Sequence, residues 1–317
     1  MTCHSCRIEA VKAGKSRNRV QRYKCQQCGR RFTEPRQTPF GADVRLPHDK
    51  VRMILNCLVE GNSVRATARL CDVQPKTVLA MLVLAGENCE QIMGSKVRNV
   101  QVTDVQCDEI WGFVQKKESH KWPHEENNNS VGDAYTFVAI ERNSKLVLNF
   151  ALGRRDQQTT NAFIEGLRDA VAPSQTFQLS TDGFGPYIWA VDATLSHCVD
   201  FAQLVKVYAA PREGEQRYSP AEVVEARPKP VFGNPDPARI CTSHVERQNL
   251  TMRMQIRRLT RLTNAFSKKW ENLWAALCLY FVWYNFVRIH QTLRVTPAMA
   301  AGIADRVWDF SDLISSL

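Results

Sequence analysis

The spacing of apolar positions changes along the chain, and each change marks a different kind of element. Over residues 47–90 it is helical: Val51, Ile54, Leu55 and Leu58, then Val64, Ala66 and Leu70, then Val78, Leu79 and Leu82. Pro47 suits a helix start, Gly61–Asn62 a stop, Ser63 a cap, and Pro75 a new start after the short Cys71–Asp72–Val73 turn. These signals predict a long helix, a short helix, a tight turn and a third helix, the pattern of a helix-turn-helix. Between residues 100 and 152 the period falls to two. VQVTDVQCDEIWGFVQ, AYTFVAIE and KLVLNFAL predict three strands in a meander, with the polar loop KKESHKWPHEENNNS after the first.

Beyond the meander, DQQTTNAFIEGLRDAV predicts a helix, TFQLSTD a buried strand, GPYIWAVDAT a helix and QLVKVYA a fifth strand. This order of elements resembles that of the ribonuclease-H-like sheet. Residues 211–239, rich in proline and charge, predict an insertion loop outside the core. Helical character returns from His244 to Leu262 and again over Lys268–Val287. The most apolar run, LWAALCLYFVWYNFV, is shorter than the ~20 residues a membrane span needs, so no membrane is expected as a partner.

Four cysteines near the start change the picture. Cys3, Cys6, Cys25 and Cys28 form two C-x2-C knuckles, the spacing with which four thiolates grip one tetrahedral Zn2+. His4 is expected to be a bystander, because four thiolates complete such a site. A segment this short depends on the metal for much of its folding energy. The expected fold is therefore a multidomain α/β chain. It has a zinc ribbon at 1–36, a helix-turn-helix at 47–90, a ribonuclease-H-like mixed-sheet catalytic domain at 100–290 with C-terminal helices, and a tail at 291–317.

Charge is distributed unevenly. Residues 1–99 carry 18 Lys and Arg against 8 Asp and Glu, whereas residues 100–317 carry 24 of each. The whole excess of +10 thus sits in the first third, as expected of a module that meets a polyanion. Lys12, Lys15, Arg17, Arg19, Arg22, Lys24, Arg30 and Arg31 are the expected phosphate contacts around the knuckles. Gln74, Lys76 and Thr77, in the first turn of the third helix, are the expected groove readers. The opening MTCHSCRIEA carries no secretory signal, so a cytoplasmic, reducing location is expected.

Three acids stand where acids are uncommon. Asp108 interrupts an apolar strand, Asp182 ends a buried strand and Glu246 opens a helix. Carboxylates gathered at one sheet edge repel unless divalent cations neutralise them, and oxygen ligands select Mg2+ or Mn2+. Two such ions, held by the three acids, suit an in-line phosphoryl displacement. Glu109 is expected to face the other way, because side chains alternate along a strand. Glu225 is a weaker rival for the third place. On the helix opened by Glu246, Asn249, Arg253, Arg257 and Arg258 are expected to share one DNA-facing basic surface.

DEIWGFV around Asp108, STDGFGPY around Asp182 and SHVERQNLTMR around Glu246 resemble the bacterial DDE transposases of the insertion sequence one family. The stretch YNFVRIHQTLRVTPAMAAG is similar to a C-terminal motif of many bacterial transposases. The resemblance implies a transposase whose catalytic acids are Asp108, Asp182 and Glu246. It also implies one structural Zn2+, terminal inverted repeats and target DNA as partners, a homo-oligomer on DNA, and action at the bacterial nucleoid. Two alternatives compatible with the same residues are a zinc-ribbon and helix-turn-helix regulator and a two-metal nuclease without strand transfer.

Overall fold

A computed structural model describes residues 1–3, 6–15, 21–33, 44–173, 175–209 and 223–315. The chain divides into two compact units, Met1–Val51 and Arg52–Leu317. His4, Arg17 and Arg19 lie outside the described residues, as do residues 211–222 of the proline-rich stretch.

In the first unit β1 (Val11–Lys15), β2 (Gln21–Lys24) and β3 (Arg31–Thr33) form an antiparallel sheet in that order. The Tyr23 and Phe32 rings stack on one face at 6.0 Å. Arg22, Lys24 and Arg31 take the other face by strand alternation, and all three are exposed. Each cysteine knuckle closes the same way. The Cys3 carbonyl accepts from Arg7 N–H and the Cys25 carbonyl from Gly29 N–H. Arg7 and Gly29 both take left-handed backbone, at φ 54° and 68°, which comes readily to glycine but costs an arginine energy.

α1 (His48–Val59) is followed by α2 (Val64–Leu70) and α3 (Pro75–Lys96). The Ser63 hydroxyl caps α2 by accepting from Ala66 N–H at 3.1 Å, and Pro75 opens α3. The three expected helices are thus present, but α3 continues past 90 and belongs to the same compact unit as the large sheet. Its second half is held by burial of Ala85, Cys89, Ile92 and Met93. It packs so closely on α7 (Trp270–Val282) that a Cβ on Gly86 would lie 2.5 Å from Ala275 Cα.

The centre of the second unit is a six-stranded mixed sheet. Its strands are β4 (Asp104–Val114), β5 (Gly132–Glu141), β6 (Val147–Gly153), β7 (Phe177–Asp182), β8 (Val199–Tyr208) and β9 (Val223–Phe232), in the order β6-β5-β4-β7-β8-β9. β4 is antiparallel to β5 and parallel to β7. α4 (Gln157–Ala170) and α5 (Pro186–Leu195) cover one face, where the Phe137 and Phe163 rings meet at 5.5 Å. α6 (Ser243–Gln255) and α7 cover the other, where Phe150 meets Phe281 at 4.4 Å. Every expected strand of this domain is present.

One expectation is corrected. Residues 223–232, read as loop, form an edge strand paired with β8, with Pro228 opposite Leu204 and Pro230 opposite Ala202. A strand with no further neighbour tolerates prolines that donate no hydrogen bond. Within residues 291–317, α9 (Phe310–Ser315) buries Phe310, Leu313 and Ile314 and lies on α3. The last long helix, expected over Lys268–Val287, is α7, which continues without a break into a π-helical turn over Trp283–Val287. No helix among the described residues is long and apolar enough to cross a membrane.

Candidate metal centres

The four cysteine sulfurs of the first unit lie within 4.8 Å of one another. Four thiolates at about 2.3 Å from a tetrahedral Zn2+ would stand about 3.8 Å apart. The Cys3 and Cys28 sulfurs are 3.7 Å apart, so the donor set fits. Hydrogen bonding to Cys28, with burial and Cys25 next, pushes the Cys6 thiol up to about 12. Crowded sulfurs hold their protons until a cation takes the protons' place. Lys12, Lys15, Arg22, Lys24, Arg30 and Arg31 are all exposed on this unit, as phosphate contacts need to be.

The second centre is built on β4. Alternation turns Gln106 and Asp108 toward α6, and Cys107 and Glu109 toward α4 and α5. Gln106 docks the start of α6: its Oε1 accepts from His244 N–H at 2.9 Å and Val245 N–H at 3.3 Å. That contact places Asn249 one turn along, where its Nδ2 donates to Asp108 Oδ2 at 2.8 Å. Asp182 ends the neighbouring strand β7, and its Oδ1 accepts from Phe184 N–H at 3.0 Å. Gln203 on β8 fixes this turn by donating to the Asp182 and Phe184 carbonyls at 3.0 and 3.1 Å.

Oxygens of Asp108, Glu109 and Asp182 lie within 4.8 Å of one another. The prediction for Glu109 is corrected. Its partners are indeed on the opposite side from those of Asp108, but its carboxylate reaches the shared edge. Arg155, just before α4, donates to Glu109 Oε2 at 3.1 Å and to Asp182 Oδ2 at 3.4 Å. The Arg155 guanidinium also stacks 3.9 Å over the Phe184 ring. Glu109 Oε1 is buried without a hydrogen bond, and the buried Tyr187 hydroxyl, close enough to steady its charge, completes none either. Burial and the Asp182 charge raise Glu109 above its usual range. Burial, then Asp182 and Glu109, push Asp108 up to about 7. A crowded acid group with an orphaned buried oxygen fits a divalent cation.

Glu246 is not part of that group. It accepts from the Thr242 hydroxyl and the Lys206 ammonium, although its charge still contributes to raising Asp108. The expected basic face after it is also not formed. α6 ends at Gln255, so Arg257 and Arg258 fall in a separate short turn. Arg253 points inward, donating to the Leu259 and Trp111 carbonyls at 3.1 and 3.3 Å. Asn249 serves Asp108 rather than an open surface. Gln74 and Lys76 are exposed and Thr77 half-buried, as groove readers can be. Glu225 is exposed on β9 and paired with Arg227, far from a buried role.

Sequence reasoning missed Arg155 and the membership of Glu109. The signal was present: two adjacent acids in one buried strand need two separate partners, and Arg154–Arg155 follows β6 directly. The C-terminal motif contributes the buried Asn285. That buried amide accepts from Val147 N–H at 3.0 Å and donates to Val147 C=O at 2.9 Å, tying the C-terminal motif to β6. No protein-family model matches the chain, and no curated protein matches it.

Proposed function

We propose that the protein is a DNA transposase of the DDE kind, which binds the terminal inverted repeats of an insertion sequence, cuts at their ends and joins them to target DNA. The observation that carries this reading is the Asp108–Glu109–Asp182 group at the centre of a mixed sheet. The strand order β6-β5-β4-β7-β8, with helices on both faces, supports a ribonuclease-H-like catalytic domain. The four-cysteine group on a basic three-stranded sheet supports a zinc ribbon, and the capped α2 and exposed start of α3 support a DNA-reading helix-turn-helix.

Divalent cations held by the acid group would neutralise the carboxylates and clamp the attacking and leaving oxygens of an in-line displacement. Asn249 orients Asp108, Gln203 fixes the turn that carries Asp182, and Gln106 holds α6 against the strand. Glu109 supplies the third carboxylate, and Glu246 is paired with Lys206 instead. Water attack on the phosphodiester frees a 3′-hydroxyl, and that hydroxyl attacks target DNA. Joining two ends calls for at least two protomers, and the nucleoid is where the reaction would run.

The test is an in vitro reaction of the full protein with the element's terminal DNA and Mg2+. Asp108→Asn is expected to bind ends as the parent does and to lose both cutting and joining. Joining that survives Asp108→Asn overturns the acid assignment. A parent that cuts without joining is a nuclease, and one that only binds is a regulator.

A further inference from the structure

A cavity of about 600 Å3 opens among the α1–α2 turn, the start of α3, residues 255–268 and α7. It lies outside the acid group. Its size is that of a small-molecule site. Its wall is mainly apolar, formed by Leu58, Leu79, Leu82, Phe266 and Ala276. Arg65, Arg257, Arg258 and Lys268 also line it, and among the described residues no carboxylate does.

Arg258 is the unusual member. Its Nη1 donates to Ser267 Oγ at 3.0 Å, but its buried Nη2 has no hydrogen-bond partner. Burial pushes the guanidinium down to about 10. Removing a charge from water without an opposite charge beside it is costly, and such a cost persists where an anion completes the site. A fork of planar donors matches a phosphate. Beside it, Asn264 and Asn272 offer amides for polar edges, and Phe266 and Leu79 offer an apolar face.

We infer that this cavity takes a nucleotide unit, with its phosphate on Arg258 and its base against the apolar wall. The choice of a nucleotide over another amphipathic anion rests on the proposed DNA reaction. The nucleotide is either free or a unit of a DNA strand turned out of its stack, and both present the same chemistry.

The test uses the full protein without divalent metal, so that its result does not depend on cutting or joining. Thymidine monophosphate, inorganic phosphate and decanoate are titrated calorimetrically. A single strand carrying 2-aminopurine reports base burial by fluorescence. Saturable binding of the monophosphate, with Kd below about 1 mM and tighter than phosphate or decanoate, is expected for a free nucleotide. A fluorescence response from the strand alone identifies the strand as the source. In either case Arg258→Met weakens the response roughly tenfold or more, and Arg258→Lys recovers part of it. Ala276→Trp, which fills the cavity and leaves Arg258 in place, abolishes it. No response from either probe, a response unchanged in Arg258→Met or Ala276→Trp, or tighter binding of decanoate overturns the inference. Nucleotide binding by a protein that joins no ends would leave the inference standing and remove the transposase reading.

Discussion

Arg155 and Glu109 are joined at 3.1 Å, and the same guanidinium reaches Asp182 at 3.4 Å. A cation of the chain thus sits between two of the three acids that would hold a metal. It offsets their repulsion and competes with any divalent ion there. Arg155→Gln is therefore expected to bind Mn2+ about tenfold tighter, since a half-exposed charge within contact distance is worth roughly 1–2 kcal/mol. Calorimetric titration with the four-cysteine site saturated by added Zn2+ measures this. Unchanged or weaker Mn2+ binding would show that Arg155 does not compete.

The pH dependence follows from Asp108. Its carboxyl is lifted in the folded protein from 3.8 to about 7, so the fold favours the neutral form. Without divalent metal, stability therefore falls as pH rises from about 4 to about 7, where the unfolded chain ionises first, and levels off above that. Asp108→Asn removes the loss and is expected to be more stable than the parent at pH 8 by about 2–4 kcal/mol. Urea unfolding in magnesium-free buffer at pH 5 and pH 8 checks both the sign and the slope. A less stable Asn variant at pH 8 contradicts the burial argument.

Much of this arrangement was legible in the sequence, and the failures have physical causes. Ser63 and Pro75 announced their helix starts because capping chemistry is local. The strands of the sheet were readable because apolar alternation and burial agree over 104–153. β9 was not, because prolines that exclude a residue from a central strand are tolerated at an edge. Asp108 and Asp182 were found because charge in an apolar strand is conspicuous. Alternation sends Glu109 to the opposite side, because it describes where a side chain leaves the strand but not how far a long one reaches. The inward turn of Arg253 and the end of α6 at Gln255 depend on tertiary partners at Trp111 and Leu259, distant from or beyond the local pattern.

The knuckles make a separate prediction. Removing the metal from the four cysteines is expected to unfold much of Met1–Val51 and weaken DNA binding, while the cooperative unfolding of Arg52–Leu317 persists. Cys25→Ser should do the same without a chelator. Circular dichroism and amide exchange on the full chain follow the two units. Unchanged protection of the β1–β3 strands after metal removal counts against a metal-dependent fold.

Packing predicts two further losses. Gly86→Val places methyl groups against the backbone of Ala275 and is expected to lower stability by about 1–3 kcal/mol. Asn285→Ala leaves both Val147 backbone groups unpaired in the interior and should cost about 2–4 kcal/mol. Denaturant midpoints measure both, and wild-type stability in either variant would refute the corresponding contact.

The gathering of Asp108, Glu109 and Asp182 around a divalent cation is tested most directly by Mn2+ titration of the parent against Asp108→Asn and Asp182→Asn, followed by electron paramagnetic resonance. Saturable binding by the parent, weakened roughly tenfold or more in each variant while zinc content stays the same, is the predicted result. Binding of equal strength in all three proteins, or none in the parent, would contradict it.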